Sequence, residues 1–160
     1  MVLPENITVR QNKAGVLMKH KFVNFFMTVA ESSANLSHAR RLKVGAVIVK
    51  DQNIISFGYN GMPAGMDNNC EEELLNEDGP QLVTKPEVIH AEANAICKLA
   101  RQGNSGQDST MFLTHAPCVE CAKMIVQAGI KSVYWKNSYR DTKGLDLLHK
   151  AGIDTFQEIV

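Results

Sequence analysis

The apolar pattern of this chain changes period several times, in an order that few folds can accept. Phe22, Phe25, Phe26, Val29 and Ala30 recur at helical spacing, which predicts an amphipathic helix over about residues 17–35. Residues 44–49 (VGAVIV) form an unbroken, β-branched apolar run, the mark of a strand buried on both faces. Asp51, Gln52 and Asn53 read as a turn, and residues 54–60 (IISFGYN) as a second strand paired with the first in a hairpin. From residue 89 onward helix and strand alternate. A helix rich in small residues over 89–101 stops before Gly103 and Gly106. A strand at 110–114 leads to a helix that Pro117 opens and Gly129 stops. A strand at 132–135, a helix around 145–150 and a strand at 153–156 complete the order. Strands that alternate with helices become parallel neighbours through right-handed crossovers, whereas a hairpin is antiparallel. The expected fold class is α/β: three layers, α/β/α, around a mixed five-stranded sheet.

A length of 160 residues fits one domain over 1–160. Hydrophobic residues at 44% and charged residues at 21% exclude a disordered or collagen-like chain. Seventeen basic and seventeen acidic residues cancel. A chain that binds nucleic acid by neutralising phosphates normally carries a basic surplus, so no nucleic-acid partner is expected. No apolar run approaches the ~20 residues that span a bilayer, and the first residues lack the order of a signal peptide. A cytoplasmic protein without membrane contact is expected. Residues 1–15 are polar and irregular and read as a loosely held arm.

One stretch resists this scheme. Residues 61–89 show no strong period, and a loop insert of that length is uncommon in a compact domain. It opens with GMPAGM and turns acidic at Glu71, Glu72, Glu73, Glu77 and Asp78. A solvated loop and a lid or ligand-binding insert both fit.

Two short motifs carry chemistry: His90-Ala91-Glu92 and Pro117-Cys118-Val119-Glu120-Cys121. Cys118 and Cys121 are three apart at a predicted helix start, which places both sulfurs on one face. The free N–H groups and positive dipole end there favour thiolate, the form that binds metal. His90 supplies a third ligand. Two thiolates, a neutral imidazole and Zn²⁺ sum to zero charge, and three protein ligands leave a fourth position open, as in a catalytic zinc site. Zinc lowers the pKa of bound water to about 7, and Glu92 is the natural acceptor of its proton. Residues i and i+2 do not share a helix face, so His90 must stand at the helix boundary with Glu92 in the first turn. A thioredoxin-like redox pair would need its CxxC after an early strand, and a structural zinc site would have no use for Glu92. Of the remaining candidates, Cys97 reads as a small core residue and Cys70 as a free thiol. His115 faces either the pocket or the packing, and His20, His38 and His149 read as surface residues.

These motifs, in the order H-x-E…P-C-x-x-C, follow the signature of zinc deaminases. With VGAVIV (44–49), GYNGMPAG (58–65), HAEANAI (90–96) and PCVECAKMIVQAGIKSV (117–133), the chain resembles the cytidine deaminase superfamily and, within it, the deoxycytidylate (dCMP) deaminases. The resemblance implies a cytidine deaminase-like fold and hydrolytic deamination of dCMP to dUMP and ammonia by a zinc-bound hydroxide, with Glu92 as proton shuttle. It implies that backbone near Ala91 and Cys118 reads the pyrimidine edge. Asn60 would contact the sugar, although Asn before Gly61 is also a common turn pair. A 5′-phosphate needs a cation, for which Lys43, Arg40, Arg41 and Arg140 are candidates, with Tyr139 covering the substrate. The branch is commonly oligomeric, often hexameric, and many members are activated by dCTP and inhibited by dTTP. The resemblance puts such an effector site at Asn60, Gly61, Met62, Pro63 and Gly65 and the insert after them. There the acidic residues would meet a triphosphate only through a cation such as Mg²⁺. Extra cysteines that hold a second zinc in some phage members are missing from SHARRLK (37–43), so no second zinc is expected. Two other readings stand beside this one: a nucleic-acid base deaminase of the tRNA adenosine type, and a non-catalytic zinc module.

Overall fold

The computed structural model describes residues 18–158. The expected N-terminal arm lies outside them, as does residue 17 of the predicted first helix. That helix, α1 (His20–Ala34), buries Val23, Phe26, Met27, Ala30 and Ala34. This stripe at i, i+3, i+4 and i+7 leaves Phe25 exposed. The strands β1 (Gly45–Lys50) and β2 (Asn53–Tyr59) pair antiparallel across a turn at Asp51 and Gln52. Then follow α2 (Ala91–Arg101), β5 (Thr110–His115), α3 (Val119–Gln127), β6 (Ser132–Asn137), α4 (Lys143–Lys150) and β7 (Asp154–Gln157).

The main sheet has five strands in the order β2-β1-β5-β6-β7. β1 pairs antiparallel with β2 and β5, while β5, β6 and β7 are parallel. This is the mixed sheet that the alternation of periods implied. Because successive side chains point to opposite faces, each central strand feeds two cores. Ala46, Ile48, Met111, Leu113 and Val133 pack with Ala95, Leu99, Ala122, Ile125 and Leu148 on one side. Val47, Val49, Phe112 and Tyr134 pack on α1 on the other, where Phe26, Phe112, Tyr134 and Phe156 form a ladder with centroids 5.3, 5.0 and 4.7 Å apart. No helix among the described residues is long and apolar enough to cross a membrane.

Three expectations need correction. Residues 61–89 are not a structureless loop: they contain an antiparallel hairpin, β3 (Glu71–Asn76) and β4 (Gly79–Thr84), which forms its own two-stranded sheet. Its first strand, EEELLN, has no apolar alternation because most of it faces water, so periodicity could not reveal it. Gly61 and Ile89 exchange backbone hydrogen bonds of 3.1 and 2.9 Å and close the insert at its base. Cys97 is exposed rather than a core residue. Pro117 does not occupy the first helical position: Cys118 is the N-cap, and α3 begins at Val119.

The topology sets the site. β5 ends at His115 and runs through Pro117 into the N-cap of α3, while β6 runs out toward Tyr139 and Arg140. Crevices beyond the carboxyl ends of parallel strands are where α/β sheets bind ligands.

Candidate active site

The N-termini of α2 and α3 converge on one point. His90 is the N-cap of α2, with φ −69° and ψ 155°, extended rather than helical, and Glu92 lies in the first turn. Cys118 caps α3 in the same way, at φ −71° and ψ 168°, and its sulfur accepts the Cys121 N–H at 3.5 Å. His90 Nδ1 stands 3.6 Å from Cys118 Sγ and 3.4 Å from Cys121 Sγ, and all three ligand atoms lie within 4.8 Å of one another. Donors at ordinary zinc–nitrogen and zinc–sulfur lengths of about 2.0 and 2.3 Å sit about 3.5 Å apart around a tetrahedral ion. The donor set therefore fits zinc in spacing as well as in chemistry.

Electrostatics prepare the same end. Hydrogen bonds from the Cys121 thiol and from His90 hold the Cys118 thiol down at about 3. Donating that bond, together with burial, keeps the Cys121 thiol above its ordinary value. The arrangement favours thiolate at Cys118. Glu92 is only 4% exposed, and burial pushes its carboxyl up. A carboxyl whose burial makes it easier to protonate is suited to taking up a proton. A cavity of about 300 Å³ opens over His90, Glu92 and Cys118, and Arg41, Asn60, Tyr139 and Arg140 stand elsewhere on its wall.

Residues 20–137 match the family model for the cytidine and deoxycytidylate deaminase zinc-binding region. The chain belongs to this deaminase family. It is 37% identical to ComE operon protein 2 of Bacillus subtilis over 83% of this chain and 69% of that protein. It is 38% identical to the deoxycytidylate deaminase of Enterobacteria phage T4 over 71% of this chain and 78% of the relative. A dCMP deaminase of cyanophage S-TIM5, solved in complex with dCMP and dUMP, is 42% identical and superposes with a TM-score of 0.80. The match covers 89% of this chain and all (100%) of that one. As a member of the family, the protein is a zinc-dependent deaminase, a hydrolase.

In this deaminase the other candidate residues divide. Ala91, Asn60, Tyr139 and Arg140 line the cavity. Asn60 uses part of its amide to hold the adjacent segment 42–44: Oδ1 accepts the Val44 N–H at 2.9 Å, and Nδ2 donates to the Leu42 carbonyl at 2.8 Å. Arg140 stacks on the Tyr139 ring at 5.3 Å. Arg41 lines the cavity, whereas Lys43 is exposed and does not. Met62, Pro63 and Gly65 are likewise not part of this wall. Cys70 is a buried free thiol, and among the described residues His90, Cys118 and Cys121 form the one cluster that could hold a metal.

His115 also lines the cavity. Thr114 Oγ1 accepts the Gly45 N–H at 3.0 Å and lies 3.0 Å from His115 Nδ1. Burial lowers the pKa of this imidazole and favours the neutral form. Sequence reasoning missed Glu71, Thr84, Val88 and Ala116, all on the cavity wall. Ala116 was legible from its place between His115 and Pro117. The others come from the insert, whose fold carries no apolar signal.

Proposed function

We propose that this deaminase converts free dCMP to dUMP and ammonia. The observation that carries the reading is Glu92, buried beside the His90–Cys118–Cys121 cluster at one end of a cavity that also presents Arg41 and Arg140. Its likeness to relatives that are deoxycytidylate deaminases supports the substrate class.

Zinc held by His90, Cys118 and Cys121 supplies Lewis acidity that makes water nucleophilic near neutral pH. Glu92 accepts a proton from the attacking water and delivers it to N3 of the cytosine as C4 takes the oxygen. Glu92 then carries the second proton to the 4-amino group, the C4–N bond breaks, and ammonia leaves. Backbone at Ala91 and Cys118 reads the pyrimidine edge, and Asn60 meets the sugar. The cavity cations receive the 5′-phosphate, and Tyr139 closes over the substrate. A neutral chain is compatible with this anionic substrate, because one phosphate needs only one or two well-placed cations.

The test is deamination by the zinc-loaded protein, followed by the ultraviolet change from cytosine to uracil. dCMP is expected to be turned over in preference to deoxycytidine and to an RNA hairpin. Faster turnover of the hairpin would instead identify a nucleic-acid base deaminase.

The same reading extends to a single domain over residues 1–160 and a cytoplasmic homo-oligomer, with the hexamer as the form to test. It includes activation by dCTP and inhibition by dTTP, with Mg²⁺ on the triphosphate. The effector site would be the chain from Asn60 through Gly61, Met62 and Pro63 to Gly65. Gly65 has φ +87°, a conformation that side chains resist and that lets backbone approach a ligand. Activity against dCMP concentration is expected to steepen with dTTP and to flatten with dCTP. Superimposable curves would remove the regulatory claim.

A further inference from the structure

Arg40 and Arg41 are adjacent, yet they are used in opposite ways. The Arg40 guanidinium faces two carboxylates, with Nε 3.6 Å from Glu71 Oε2 and Nη1 3.8 Å from Glu73 Oε1. Among the described residues no carboxylate lies within ion-pair distance of Arg41. Its Nη1 donates instead to the Thr84 hydroxyl at 2.9 Å. A carboxylate partner would cancel the charge. A hydroxyl fixes the geometry and leaves the charge, together with four further N–H donors.

Glu71 completes the arrangement from below. It is 1% exposed, and its Oε1 accepts the backbone N–H groups of both Arg40, at 2.9 Å, and Arg41, at 3.1 Å. Glu71 and Thr84 are register partners at the base of the β3–β4 hairpin. One rung of the insert thus holds the Arg41 backbone with one residue and its side chain with the other. Arg41, Glu71 and Thr84 all line the catalytic cavity.

We propose that the Glu71–Thr84 rung is a positioning device that holds Arg41, uncancelled, as the cation for the substrate's 5′-phosphate. This rests on the reading of the cavity as a dCMP site. It gives the acidic insert a role in substrate selection: its buried carboxylate occupies Arg40 and the two N–H groups, and its hydroxyl is left for Arg41.

Thr84 is exposed, so Thr84→Val is expected to fold. It should raise the KM for dCMP about tenfold, the scale of one lost hydrogen bond to a charged group, with kcat changed far less. The preference for dCMP over deoxycytidine, as the ratio of kcat/KM values, should fall by the same factor, and Thr84→Ser should restore it. Glu71→Gln keeps an acceptor for the two N–H groups but frees the Arg40 charge, and should shift the same ratio. If it fails to fold, the Thr84 pair decides alone. An unchanged KM in Thr84→Val, or an equal loss with dCMP and deoxycytidine, overturns the proposal. A wild-type protein that does not deaminate dCMP at all overturns the functional reading and this inference with it.

Discussion

Glu92→Gln is expected to give a folded, zinc-loaded protein that deaminates dCMP about 10³-fold more slowly. The substitution is close to isosteric, so the packing around a side chain that is 4% exposed is kept. An amide, however, can neither take the proton of the attacking water nor deliver one to the amine. The ligands His90, Cys118 and Cys121 are untouched, so zinc content should match the wild type, as should affinity for the product dUMP. Turnover, zinc by elemental analysis and dUMP binding by calorimetry separate the effect on proton transfer from effects on metal and substrate. Full turnover in this variant would remove Glu92 from the mechanism. Loss of zinc would make it a structural support of the cluster instead.

The place of this carboxylate beside His90 is legible in the sequence because of its spacing. The two residues cannot both face one point from a regular helix, so the motif requires an extended His90. The N-cap dihedrals of α2 show that conformation. Cys118 poses a similar question, but Pro117 misleads: it stands one residue outside the N-cap, not inside the helix. Cys97 is hard to place from sequence because α2 is rich in small residues all round. The buried residues Ala91, Glu92, Ala95 and Leu99 define its inner face, and at 3.6 residues per turn Cys97 falls on the opposite side. Glu71 is not legible at all. In the sequence it is one of three consecutive glutamates, and nothing local separates it from Glu72 and Glu73. The difference is made by the N–H groups of Arg40 and Arg41, thirty-one and thirty residues earlier. Long-range pairing of that kind carries no periodic signature.

A second large effect is expected at a glycine that does not line the cavity. In an open helix Gly→Ala is favourable by about 1 kcal/mol, because alanine has the better helix propensity. At Gly144, in the first turn of α4, the sign should reverse. A Cβ there would lie 2.0 Å from the Pro117 carbonyl oxygen and 2.9 Å from the carbonyl carbon of Cys118. Both obstacles are backbone, so no rotamer change relieves them, and Gly144 itself is buried. Either α4 moves away from α3, against which it packs, or the segment carrying Cys118 shifts. The first response opens the core around Leu148 and the second displaces a zinc ligand. Gly144→Ala should therefore lose about 3 kcal/mol of stability, at the upper end of overpacking costs. It should also bind zinc more weakly, because the ligand atoms of His90, Cys118 and Cys121 no longer meet at tetrahedral spacing. Denaturant unfolding measures the first loss, and competition with a chelator the second. A variant that is stabilised and retains zinc like the wild type would show that α4 does not brace the cysteine loop. A variant that is destabilised with normal zinc affinity would place the whole adjustment in α4.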